Sequence, residues 1–192
     1  MESQNKVSNG AMDGVESKRA KERGGRTTSF LLLRFMALVL TLAAAIVLGV
    51  NKQTKVVPIQ VVDTLPPLNV PVVAKWHYLS ACVFFVVSNA IACSYAAISI
   101  LLSLSGKKSS VLITIILDLL MVALLFSGIG AAGAIGLMGY KGNSHVRWKK
   151  VCNVYGRFCN QAVAAIALSF LGSVVFVLLI TLAVLRLHKK SK

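Results

Sequence analysis

Apolar residues in this chain come in four long unbroken runs, not in the periodic stripes of a water-soluble helix. The runs are Phe30 to Val50, Tyr78 to Leu104, Val111 to Met138 and Ala162 to Leu185. Each reaches the ~20 residues that a helix needs to cross the ~30 Å hydrocarbon core. The pattern predicts an all-α membrane protein: a four-transmembrane-helix bundle over residues 30–188, with spans at about 30–50, 78–104, 111–138 and 162–185. Residues 1–29 are polar and aperiodic and are expected to form a disordered basic tail, and residues 189–192 a second short one. Every connection is too short for a separate globular domain.

The third run, VLITIILDLLMVALLFSGIGAAGAIGLMG, carries one acid, Asp118, within a helix about 42 Å long. A carboxylate at membrane depth is costly unless it is paired or wet. Span one carries Arg34 about one turn inside its start. Two readings of Arg34 stand: snorkelling to the headgroups, or pairing with Asp118. Spans one and three run in the same direction, the depths are similar, and the signs are opposite. An intramembrane ion pair, Arg34 with Asp118, is the favoured reading.

Gly128, Ala132 and Gly136 follow at i, i+4 and i+8, a small-residue stripe that lets a neighbouring helix approach closely. Span four offers a similar file in Ala165, Ser169 and Ser173. One such stripe can close the bundle while another faces a neighbouring molecule. Gly128, Gly130 and Gly133 also spell the G-x-G-x-x-G of dinucleotide sites, but no acid follows to hold a ribose. In span two, Asn89 is expected to hydrogen-bond across to another helix, and Cys82 and Cys93 to be packed thiols.

The first loop, Asn51 to Lys75, holds Pro58, Pro66, Pro67 and Pro71 and leads into Trp76, His77 and Tyr78. Proline disfavours a helix here, a strand such as VVPIQVV is weakly signalled, and the aromatic group suits a membrane interface. The second loop, SGKKSS, is a tight basic turn. In the third, Tyr140 to Gln161, Cys152 and Cys159 enclose six residues and can form a disulfide if the loop faces an oxidising compartment. Zinc is not expected, because His145 stands alone there.

The chain has 21 Lys and Arg against 6 Asp and Glu. In a soluble protein that balance would suggest nucleic acid. Here the basic residues flank spans, so they read as topology signals and contacts to anionic lipids at the basic tails, with no nucleic-acid partner. The N-tail, second loop and C-tail hold twelve basic residues, and the other two loops eight. Both termini are therefore expected in the cytosol. No catalytic set of titratable groups can be assembled, so neither an enzyme nor a cofactor is expected. A small-solute or ion channel or transporter using Asp118 remains the alternative to a structural role.

Arg34, Asp118, the stretch FFVVSNAIACSYAAIS and the stretch WKKVCNVYGRFC together resemble the plant Casparian strip membrane domain protein family, in its CASP-like branch. Such proteins are similar to MARVEL-domain tetraspans. The resemblance covers nearly everything from Phe30 onward. It implies a multi-pass plasma-membrane protein that forms homo- and hetero-oligomers, in a family whose founders build immobile membrane platforms that recruit cell-wall-modifying enzymes. It also implies that Arg34 and Asp118 are shared intramembrane charges, and that Trp148, Cys152 and Cys159 belong to a shared outer loop. Barrier-forming members carry an E-T-L-P-F-F-type signature in the first outer loop. This chain has Asp63-Thr64-Leu65-Pro66, then Pro67 and Leu68. The expected function is a non-enzymatic scaffold that assembles laterally into membrane subdomains.

Overall fold

The computed structural model describes residues 28–59, 68–105, 110–142, 145 and 150–191. The N-terminal tail up to residue 27, the Asp63-Thr64-Leu65-Pro66 segment and Trp148 lie outside the described residues. Among the described residues four helices are long and apolar enough to cross a membrane: α1 (Thr28–Gly49), α2 (Ser80–Leu104), α3 (Val111–Lys141) and α4 (Gly156–Ser191). With 31 and 36 residues, α3 and α4 are about 46 and 54 Å long, so both project past the hydrocarbon.

The helices close on two apolar clusters, each fed by all four. In one, Ala37 of α1 meets Ala92 and Ala96 of α2, Leu125 of α3, and Phe176 and Leu179 of α4. In the other, Ala44 and Leu48 meet Cys82 and Phe85, Ala132, and Ala165. The order of these contacts makes α1 and α3 parallel and sets α2 and α4 against them. The contacting residues are mostly small, as expected where tight van der Waals packing replaces a hydrophobic drive between helices. Large side chains such as Phe35, Ile46, Ile98, Leu119, Phe170 and Leu185 point outward, where lipid would meet them.

At the end of the bundle opposite the termini, the first loop is a β-hairpin of β1 (Lys52–Ile59) and β2 (Leu68–Lys75). Of the weakly signalled strand VVPIQVV, residues 56–59 lie in β1 and residues 60–62 lie outside the described residues; the register explains how the prolines are accommodated. Val56 pairs with Pro71 and Pro58 with Asn69. Trp76 donates its backbone N–H to Asn51 O at 3.4 Å, one step outside the ladder. Hydrogen-bonded pairs alternate from there, which leaves both prolines at pairs whose N–H would point away. A 3₁₀ turn, Trp76–Tyr78, leads into α2, its rings meeting edge to face.

Two of the helix boundaries that differ from the apolar runs lie at the hairpin end. The third helix runs three residues past Met138 and stops at Gly142, whose φ of 72° favours glycine and whose N–H reaches Met138 O at 2.9 Å. The fourth begins at Gly156, six residues before its apolar run, so Cys159 lies in a helical first turn and not in a loop. Hydropathy marks only the lipid-facing part of a helix. The added turn is stabilised by contacts to the hairpin.

Candidate functional site

Arg34 is six residues into α1 and Asp118 seven into α3, which puts them about 9 and 10 Å along parallel helices. Equal depth brings the side chains together. Arg34 Nη2 donates to Asp118 Oδ2 at 3.0 Å and Nη1 to Oδ1 at 3.2 Å, a two-pronged pair. Both residues are buried, Arg34 to 7% exposure and Asp118 to 1%. The guanidinium is turned inward to the carboxylate and does not snorkel.

A third member comes from α2. Tyr95 donates its hydroxyl to Asp118 Oδ1 at 2.8 Å, and its ring lies 5.7 Å from the Arg34 guanidinium carbon. On its far side the ring meets Phe176 of α4 at 6.3 Å between centroids. One cluster thus ties all four helices together. Sequence reasoning overlooked Tyr95. The available signal was a phenol inside a span, where its hydroxyl needs a partner. The carboxylate accepts from three donors on two sides, which compensates much of the penalty of holding it away from water.

Between the two apolar clusters lies a layer of small polar side chains. Thr41 Oγ1 donates to Ala37 O at 2.8 Å, Ser88 Oγ to Phe84 O at 2.7 Å, and Ser173 Oγ to Phe170 O at 2.7 Å. Asn89 corrects the expectation from sequence: its amide donates to Phe85 O of its own helix at 2.9 Å, not across to another. A side chain at this crowded crossing finds its own i−4 carbonyl before it can span the gap. Ser88 packs beside Gly128, where an added Cβ would lie 3.4 Å away.

The small-residue stripes divide accordingly. Ala165, Ser169 and Ser173 of α4, with Gly128 and Ala132 of α3, are buried inside the bundle. Gly136 lies outside the packed interior: a Cβ there would meet nothing within 4 Å, and the same holds at Gly130 and Gly133. The stripe leaves the interior because α3 is longer than the tightly packed part of the bundle.

At the hairpin end, Cys152 and Cys159 form a disulfide with Cα atoms 5.7 Å apart. The backbone N–H groups of Val151 and Cys152 donate to Gly139 O at 2.9 and 3.2 Å, satisfying a carbonyl at the end of α3. The first turn of α4 is held from the other side. Gln53 Oε1 accepts the Phe158 N–H at 2.9 Å, and Asn51 Nδ2 donates to Phe158 O at 2.9 Å. Tyr155 donates its hydroxyl to Val72 O at 3.2 Å. Asn51, Gln53 and Tyr155 carried no signal in the sequence beyond polarity beside a span, because their partners lie more than eighty residues away.

Comparison with known proteins adds a lineage. The model of the Casparian strip membrane protein domain matches residues 23–175. The chain is 70% identical to CASP-like protein 1E1 of Ricinus communis across the full length of both. It is 67% identical to CASP-like protein 1E1 of Populus trichocarpa, again end to end. Identity to CASP-like protein 1E1 of Arabidopsis thaliana is 56%, covering 97% of this chain and 98% of that one. No solved structure matches the chain.

Proposed function

The chain belongs to the Casparian strip membrane protein domain family, and from that membership we propose that it is a non-enzymatic plasma-membrane scaffold that assembles laterally into membrane subdomains. Its partners are further copies of itself and related family members. Anionic lipids meet its basic tails, and cell-wall-modifying enzymes are the machinery such a platform recruits. Both termini face the cytosol, a reading supported by the basic excess on that side and by the disulfide on the other.

The observation that carries the reading is the three-donor hold of Arg34 and Tyr95 on Asp118. A transport carboxylate must exchange partners as a solute passes. This one is held by three donors from two other helices, which is what a rigid building block requires. Photobleaching of a fluorescently tagged full-length copy tests the proposal. Patches that fail to refill are expected, and recovery at the rate of a freely diffusing four-span protein would exclude the scaffold. Solute flux in vesicles that vanishes in Asp118→Asn would replace it with a transporter.

A further inference from the structure

An apolar cavity of about 530 Å³ opens at the hairpin end of the bundle. Its wall on α3 runs from Ala132 to Tyr140, and its wall on α4 from Phe158 to Ile166; Leu48 and Cys82 form the back and the Cys152–Cys159 bridge lies at its outer end. The volume is within the roughly 300–1,000 Å³ typical of ligand pockets. It exists because α3 presents glycines there: the Cβ positions of Gly133 and Gly136 face open space. Along α3 the cavity extends about 12 Å, less than half of the ~30 Å core, so it spans the outer part of one leaflet.

Water is a poor filler for such a space, since a buried water needs two to four polar partners and most of this wall is hydrocarbon. The mouth is different. Lys141, Lys150 and Arg157 are exposed and are the immediate chain neighbours of the lining residues Tyr140, Val151 and Phe158. Among the described residues the sole acid is Asp118, near the other end of the bundle. An apolar slot under a cationic rim complements one kind of molecule. We propose that this cavity binds one acyl chain of an anionic lipid whose headgroup is a phosphate monoester, from the leaflet at the hairpin face, with the phosphate held by Lys141, Lys150 and Arg157.

The full-length protein in phosphatidylcholine nanodiscs can be photolabelled with lipids carrying a diazirine in one tail: phosphatidic acid, ceramide 1-phosphate or phosphatidylcholine. Labelling is expected on α3 between Ala132 and Tyr140 and on α4 between Phe158 and Ile166, and more strongly with either phosphate monoester than with phosphatidylcholine. The two monoesters distinguish a glycerolipid from a sphingolipid source. Gly136→Leu fills the slot where space is open; excluding two methylene groups of the chain corresponds to about a tenfold loss of labelling. Val163→Trp fills it from α4, at a residue 65% exposed, and serves if the glycine variant fails to fold. Replacing Lys141, Lys150 and Arg157 together by Gln is expected to abolish the preference for phosphate monoesters while tail labelling persists. Equal labelling by all three lipids, or labelling unchanged by either filling variant, overturns the proposal. So does cross-linking of these segments to a second copy in place of lipid.

Discussion

Thr41 of α1 and Gly172 of α4 meet so closely that a Cβ on Gly172 would lie 3.1 Å from Thr41 Cγ2 and 3.8 Å from the Thr41 backbone nitrogen. The crossing sits in the polar layer between the two apolar clusters. Gly172→Ala is therefore expected to lower the melting temperature in detergent, with a destabilisation of about 1 to 3 kcal/mol from overpacking. Thr41→Ser removes the opposing methyl and should restore much of it. A double variant no more stable than Gly172→Ala alone would show that the two helices are not in contact there.

Removing one partner of the buried ion pair leaves the other charge stranded. Arg34→Leu and Asp118→Leu are each expected to destabilise by about 3 to 5 kcal/mol, and the double variant by less than their sum. Thermal stability followed by size-exclusion of the tagged protein measures this cycle. Full additivity would mean the two charges do not interact. Tyr95→Phe keeps the ring and loses only the hydroxyl bond to the carboxylate, an expected loss of about 1.5 to 3 kcal/mol.

The disulfide closes a short ring, for which chain entropy gives about 2 to 3 kcal/mol. Cys152→Ser should lower the melting temperature accordingly and leave the four spans inserted. Membrane-impermeant thiol reagent applied to intact cells is expected to label Cys159 only after reduction or in that variant. Labelling of the untreated wild-type pair would place it in the reduced state.

Asn51 and Gln53 hold the first turn of α4 against the hairpin. Asn51→Leu with Gln53→Leu leaves the Phe158 N–H unpaired and its C=O with the helix bond alone, at a cost of about 1 to 3 kcal/mol for the buried N–H. Hydrogen exchange should accelerate in Lys52–Ile59 and in the first turn of α4 but not around Asp118. Unchanged protection of the hairpin would contradict the docking.

The spans were legible because twenty consecutive apolar residues have few alternatives, and the charges because two formal charges at membrane depth demand an account. The pairing of Arg34 with Asp118 followed from parallel spans, similar depth and opposite sign. Tyr95 did not: a phenol inside a span signals that its hydroxyl has a partner, but not which one until α2 is laid against α3. The extra turn of α4 was hidden because Gly156 to Gln161 is too polar for a hydropathy window; its helix depends on Gln53 and Asn51, more than a hundred residues earlier. Asn89 was misjudged for a related reason. Composition reveals that an amide is buried, whereas its partner depends on a gap of a few ångströms between helices.

The 84 residues separating Arg34 from Asp118 set an order of events during synthesis. Translation at about 5–20 residues per second means that α1 is made roughly 4 to 17 s before its counter-ion exists. For that interval the first segment must be retained by the insertion machinery or sit with its guanidinium drawn to the headgroups. Tyr95 arrives earlier than Asp118 and can offer its ring face as an interim partner. Commitment of α1 to its final depth is thus deferred until the third segment enters. A ribosome halted between α2 and α3 would leave Arg34 without its carboxylate.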